Sequence, residues 1–456
     1  MYNDDTIIHY ILSFVITVSG ALWKLLYGRV VSRSELCADL DMATSGEMSL
    51  SDCDKIMMID DEIPLLLSYA SQVPTTIQII NHRLLSDEKI ITMYENGYRL
   101  VYNNNIDTLR DITRATINGM RIIKLRVYDI NVVSTNACSN IQELTLTSNR
   151  SQSTAHNVTF AKSLRKLSMY DECNITNDNL KLCINIEELR ADDNAQVTTC
   201  EPFAKSLRKL SAYNKCGIAD DGLKLCTNIE DLDITNNTKV TTCVPFAKSL
   251  RKLCVMQYRH YVERIGMRDN GLSCCKNITF LNASDYGGIA TCEPFAESLT
   301  VLWAHGLWGT TITDGSLTLC TNIKYLYADD NRNITTCAPF AMSLMKLSAR
   351  SVCGISDDGL KLCAFIENLN ASDNYKITTC APFAKSLRIL CARSNCGITN
   401  AGLRPCKNIE DLDVGYNTRI TTCAPFARSL RRLRGSHVSN IPYDDVCMCT
   451  HRYVGW

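Results

Sequence analysis

Cysteine and histidine hold most of the chemical potential of this chain, with 24 cysteines and seven histidines among 456 residues. Thiolates and imidazoles act as nucleophiles, redox couples or metal ligands, and their spacing decides which. Near the C-terminus, Cys447-Met-Cys449-Thr-His451 offers three ligand-type side chains. Its spacing is unlike that of common zinc modules and falls one ligand short of a closed tetrahedral site. A reactive or simply unpaired tail is expected there, and no metal or cofactor is assigned. The sequence contains no nucleophile elbow, phosphate loop or His-Glu-x-x-His stretch. The expectation is a protein that is not an enzyme.

The cysteines recur. One set is Cys173, Cys216, Cys353 and Cys396; a second is Cys183, Cys226, Cys320, Cys363 and Cys406. A third is Cys200, Cys243, Cys292, Cys337, Cys380 and Cys423. In a small secreted protein such a count implies a disulfide framework. Periodic placement favours the other reading, reduced thiols packed as small apolar residues in a cytoplasmic protein. Sequons such as Asn157-Val-Thr, Asn174-Ile-Thr and Asn333-Ile-Thr are read as by-products of repetition, and Asn282 and Asn370 fall inside expected strands.

The elements that carry these thiols come from one repeated unit. The tag PFAKSLRKL and its variants place Phe203, Phe246, Phe295, Phe340, Phe383 and Phe426 at spacings of 43, 49, 45, 43 and 43. Each unit splits into two similar halves, each closed by a leucine: Leu167, Leu189, Leu210, Leu232, Leu253, Leu281, Leu302, Leu326, Leu347, Leu369, Leu390, Leu412 and Leu433. Leu125 and Leu144 extend the series upstream. Most steps are 21 or 22 residues, the period of a leucine-rich repeat. The expected fold is an α/β leucine-rich repeat solenoid, a curved parallel sheet of about 13–15 rungs with a small helical N-terminal module. The expected segments are 1–34, a helical module; 35–117, a connecting region or degenerate repeats; 118–440, the solenoid; and 441–456, a tail.

In the first half, Leu207, Leu210 and Ala212 point inward, Cys216 and Ile218 follow a turn, and Leu223 begins a return segment, a short helix after Gly222. In the second half, Ile229, Leu232 and Ile234 point inward, and Asn237 stands at the turn. Asn recurs there as Asn194, Asn331, Asn374 and Asn417, placed to satisfy backbone groups that a sharp turn leaves unpaired. Pro202, Pro245, Pro294, Pro339, Pro382 and Pro425 mark helix starts.

Cys216-Gly217-Ile218, Asp221-Gly222-Leu223 and Cys396-Gly397-Ile398-Thr399-Asn400 resemble the cysteine-containing leucine-rich repeats of F-box substrate receptors. The paired wording is also similar to leucine-rich repeat proteins of giant DNA viruses, which often join an F-box-like start to such repeats. The segment DDTIIHYILSF resembles the first F-box helix, and LWKLLYGRVV the later ones. The usual Leu-Pro before the acidic pair is missing. The resemblance implies docking on a cullin-RING ubiquitin ligase adaptor through Ile7, Ile8, Ile11, Leu12, Phe14 and Trp23. Two other readings stand beside it: a plain helical cap over the first rung, and a membrane anchor, since Ile7–Trp23 is uncharged but at the lower length limit for a span. Between 35 and 115, DDEIPLLLSYA suggests a helix, while TTIQIINHRLL and KIITMYENGYRLVY alternate as strands do.

Lys plus Arg and Asp plus Glu number 48 each, so the net charge is zero. That balance argues against nucleic acid as partner. The balance is also patterned. The two positions before the closing leucine read Glu187-Glu188, Arg208-Lys209, Glu230-Asp231 and Arg251-Lys252, then Glu410-Asp411 and Arg431-Arg432. Rungs about 4.8 Å apart set these opposite charges side by side on the open face, where they disfavour a one-rung slip.

The pattern breaks after Leu253, where VMQYRHYVERIGMRDN lengthens the step to 28 residues. Here the positions flanking the leucines become Phe280, Val301, Trp303, Tyr325 and Tyr327, with Tyr258, His260, Tyr261 and Trp308 nearby in sequence. Exposed aromatics so grouped mark a protein-binding hot spot; the competing reading is that they fill a local packing fault. Phe280, Trp303, Tyr325, Tyr327, Tyr258, His260 and Trp308 are the candidate partner-binding residues.

Overall fold

A computed structural model of the chain describes residues 162–170, 175–257, 266–307 and 309–435, together with residues 142–147 and 441 and short strands at 14–16, 76–79, 99–103, 124–127 and 454–455. The chain forms two compact units, Met1–Leu207 and Arg208–Trp456. Both are built mainly from parallel strands in sequence order.

In the first unit the strands Thr76–Ile79, Arg99–Asn103, Lys124–Val127, Glu143–Thr147, Lys166–Tyr170 and Glu188–Arg190 pair successively in parallel. The two stretches with alternating sequence between 75 and 103 thus contain strands, as their pattern predicts. The expected helical start does not hold where it is described. Phe14–Ile16 is a strand, paired antiparallel with Thr76–Ile79. Phe14, Val15 and Ile16 are aromatic or β-branched, types that lose χ1 freedom in a helix and pack well on a pleated edge. Ile7, Ile8, Ile11, Leu12 and Trp23 lie outside the described residues, as does DDEIPLLLSYA.

In the second unit every closing leucine from Leu210 to Leu433 sits at the centre of a three-residue strand, and successive leucines are paired in register, as in Leu281↔Leu302↔Leu326↔Leu347. One face of the sheet is therefore a column of leucines at 0–4 % exposure. The large Phe side chains fill the volume behind them: Phe246, Phe295, Phe340, Phe383 and Phe426 are essentially sealed from solvent. Each stands in a 3-10 turn with Pro at its start, where the missing N–H leaves no bond unmade. The serine of the same tag ties rungs together, Ser386 Oγ donating to Ile366 O at 2.8 Å and Ser429 Oγ to Ile409 O at 2.8 Å.

The turn after most strands holds a left-handed residue. Asn236, Asp285, Asp330 and Asp373 take φ of 53–60°, which Asn and Asp tolerate better than most side chains. The next residue is the recurring asparagine. Asn374, at 0 % exposure, donates from Nδ2 to Ala349 O (2.8 Å) and Ile355 O (3.2 Å) and accepts from Lys376 N (2.9 Å). Asn237, Asn331 and Asn417 make the same kind of bridge. In the unit that lacks it, Tyr286 reaches from the equivalent position to donate to Met267 O at 2.7 Å. Burial pushes that phenol up to about 12.

The return helix differs slightly from expectation: it runs Asp220–Leu223 and ends at Leu223 rather than beginning there. Its first aspartate explains the placement. Asp357 Oδ1 accepts from Thr378 N (2.8 Å) and Thr379 N (3.3 Å), and Oδ2 from Thr378 Oγ1 (2.5 Å), so the carboxylate satisfies the next rung's Thr-Thr segment. Asp220 and Asp314 repeat these contacts. On its other side the helix passes so close to the preceding Thr-Thr segment that a Cβ on Gly359 would lie 2.0 Å from Thr335 O, which is why Gly follows the aspartates.

The charge ladder is present. Arg208 pairs with Glu230, Lys252 with Asp231 at 4.0 Å, Arg388 and Arg431 with Glu410 at 3.5 and 3.6 Å, and Arg432 with Asp411 at 2.8 Å. In the first unit Arg165 pairs with Glu187 and Lys166 with Glu188 at 3.1 Å. Most are solvated and worth under about 1 kcal/mol each. Glu230→Lys is expected to lower the urea midpoint only marginally, and the double change with Arg208→Glu to restore it; a loss above about 2 kcal/mol would mean the ladder carries stability rather than register.

A candidate recognition face built on three aromatic strands

The interruption of the charge ladder falls on Phe280–Asn282, Val301–Trp303 and Tyr325–Tyr327 of the second unit. Alternation along a strand sends the central leucines, Leu281, Leu302 and Leu326, into the core at 0 % exposure and their neighbours to the open face. Register sets Phe280, Val301, Tyr325 and Lys346 in one column and Asn282, Trp303, Tyr327 and Ser348 in the next.

Trp303 is the hub. Its ring centroid lies 5.0 Å from Tyr327, 5.9 Å from Phe280 and 6.3 Å from His305, all in tilted or edge geometries. Such pairs gain roughly 0.5–1.5 kcal/mol beyond area burial. Lys346 Nζ stands 5.2 Å over the Tyr327 ring, a cation–π contact that closes one side. His305 Nδ1 faces Asp329 Oδ2 at 3.6 Å, and Asp329 Oδ1 accepts from Ser348 Oγ (2.6 Å) and Arg350 N (3.0 Å). Tyr325 stays on the outer column, 39 % exposed. The packed rings keep intermediate exposure. Trp303 Nε1 is itself buried with no hydrogen-bond partner. An unmade bond of that kind costs about 1–3 kcal/mol and calls for an explanation.

Four of the expected residues, Phe280, Trp303, Tyr325 and Tyr327, thus occupy one face, and the first, second and fourth touch through Trp303. Tyr258, His260 and Trp308, with Tyr261, lie outside the described residues. His305 and Lys346 were missed by sequence reading. His305 stands two residues after Trp303, so extending the in–out alternation one step past the strand would have found it.

The described cysteines are thiols, and most are sealed inside: Cys216, Cys353 and Cys396 of one set, and the described members of the other two, at 0 % exposure. Cys173 lies outside the described residues, as do Cys447, Cys449 and His451. Among the described residues no group of three or more His, Cys, Asp or Glu is placed to hold a metal ion, and no helix is long and apolar enough to cross a membrane.

Strand register, leucine columns, asparagine bridges and 21- to 22-residue steps define a leucine-rich repeat solenoid. The fold is shared with a leucine-rich repeat protein of Leptospira interrogans, LIC12759, at 15 % identity, a TM-score of 0.51, and coverage of 76 % of this chain and 99 % of that one. Weaker likenesses reach the functional domain of InlJ from Listeria monocytogenes, which includes a cysteine ladder (13 % identity, TM-score 0.40, 87 % of this chain and 77 % of that one), and the yeast Rad7–Elc1 complex (12 %, 0.38, 82 % and 92 %). No protein-family model matches the chain, and no curated protein does.

Proposed function

We propose that this chain is a non-enzymatic protein-recognition array, cytoplasmic, that takes a protein partner on the open face around Trp303 and Tyr327. The aromatic cluster supports the reading. A packing fault would draw rings into the core, yet Leu281, Leu302 and Leu326 complete the core beneath them at 0 % exposure. The rings are instead stacked on the outer side of a finished sheet, where they offer desolvatable anchors at little conformational cost.

Trp303→Ala with Tyr327→Ala is expected to weaken capture of a partner by at least about tenfold, because anchor residues of this type each contribute about 2 kcal/mol or more. The thermal midpoint should move by only a few degrees. A collapse of the midpoint would place the rings in the core and sink the reading; unchanged capture would move the binding surface elsewhere.

Two forms of this function differ at the N-terminus. The F-box resemblance of residues 4–31 supports a substrate receptor that docks on a cullin-RING adaptor and holds a target for modification by other subunits. The strand at Phe14–Ile16, laid against the edge of Thr76–Ile79, favours the second form: an interaction scaffold whose first segment covers an open sheet edge. Co-purification of the adaptor with the full chain, but not with a chain lacking residues 1–34, would establish the receptor. Absence from both would leave the scaffold.

A further inference from the structure

Buried thiols in this array are of two kinds. Cys183, Cys353 and Cys396 are pushed up to about 12, chiefly by burial, as expected for inert core residues. Eight others come as four couples. Cys243 with Cys275, Cys292 with Cys320, Cys337 with Cys363, and Cys380 with Cys406 lie side by side, close enough for each thiol to perturb the other. A backbone tie fixes every couple. The N–H of the first cysteine donates to Gly271 O (2.9 Å), Ser316 O (3.3 Å), Gly359 O (3.0 Å) or Gly402 O (3.1 Å), within the next half's short helix. Four residues on, the second cysteine closes that helix, donating to Leu272, Leu317, Leu360 or Leu403 O at 2.8–3.0 Å. Both sulfurs of each couple belong to residues at 0 % exposure, and both are present as thiols.

We propose that these couples are latent disulfide sites, each able to close a covalent bridge between consecutive halves when the chain meets a low-molecular-weight disulfide. Repetition is what singles them out: the same two positions, tied by the same backbone bond, meet in four successive units, including the one where Ser316 replaces the glycine. Either sulfur of a couple can attack first, and the partner beside it then resolves the mixed disulfide.

The exchange balances. Cys363 loses its proton and its thiolate attacks one sulfur of the small disulfide, releasing one thiolate and leaving a mixed disulfide. Cys337 then loses its proton and attacks Cys363 Sγ, expelling the second small thiolate. Two protein thiols and one small disulfide become one protein disulfide and two small thiols, which take up the two protons. Closing a couple brings the sulfurs to about 2 Å, so the two cysteine side chains must turn toward each other. Because the couples are sealed, the reaction waits on local opening of the short helix. Cys274, an exposed thiol beside Cys275, needs no opening and reports whether the reagent is active.

The test is equilibration of the full-length protein in oxidised glutathione, quenching with an alkylating agent, and peptide mapping by mass spectrometry. Expected are cross-linked peptides joining Cys337 to Cys363 and Cys380 to Cys406, with loss of two titratable thiols for each couple closed. Cys363→Ser should remove the first cross-link and leave the second. Glutathione on Cys274 with the coupled thiols still alkylatable after long equilibration overturns the proposal. So does cross-linking scattered among couples, which would report unfolding. The wild-type map decides even if the variant folds poorly.

Discussion

Phe383→Ala is expected to destabilise the second unit by about 3–5 kcal/mol, the range for emptying a fully buried aromatic site. Phe383 is at 0 % exposure, and its 3-10 turn is held by its own hydrogen bonds, Phe383 N donating to Cys380 O at 3.2 Å and Leu387 N to Phe383 O at 3.0 Å. The backbone therefore cannot easily collapse into the space. In a stack each rung rests on its neighbours, so the loss also weakens the contacts on either side. Urea denaturation should show a lower midpoint, with a smaller slope if the array splits into independently melting segments. A cost under about 1 kcal/mol would mean that the repeated Phe is not the spine of the core.

Asn374→Ala should cost about 2–4 kcal/mol, far more than the few atoms removed would suggest. The change strands Ala349 O, Ile355 O and the Lys376 N–H inside the protein, and each unsatisfied buried group costs about 1–3 kcal/mol before the turn relaxes or admits water. Hydrogen exchange should accelerate at Lys376 above all, because its amide loses its acceptor. Tyr286 shows which part of the bridge matters most. At the same turn position a phenol supplies a donor to Met267 O and the array continues. Asn374→Asp, which keeps the acceptor for Lys376 N but loses the donor to both carbonyls, should accordingly be nearly as damaging as alanine. Normal exchange at Lys376 in the alanine variant would show that the turn does not depend on the amide.

Much of this was legible in the chain. The leucine series needs only a period to be read, and every member from Leu125 to Leu433 stands in a described strand. The asparagine bridge was legible for the same reason: a buried amide at a fixed step has little else to do. Alternating Arg-Lys and Glu-Asp pairs foretold the inter-rung ion pairs because a two-rung period places opposite signs in adjacent strands. The aspartate of the short helix was not foreseen. Its partners, Thr378 and Thr379, are about a rung away in sequence, and nothing local in Asp357-Asp358-Gly359 announces them. The N-terminal expectation failed at Phe14–Ile16 because local hydrophobic content is compatible with helix or strand, and a distant segment, Thr76–Ile79, decided between them.

The repeat, the inward leucines and phenylalanines, and the turn at which each asparagine stands can all be read from the chain without its structure. These follow from periodicity, because a residue type that returns every 21 or 22 positions meets the same neighbours each time. Which non-periodic residues meet is a property of the folded stack. The convergence of Phe280, His305, Tyr327 and Lys346 on and around Trp303 depends on strand register and ring orientation across four rungs. The approach of Cys337 to Cys363 depends on how closely one short helix packs against the preceding Thr-Thr segment. Both are matters of distance between rungs, which packing sets and spacing along the chain does not encode.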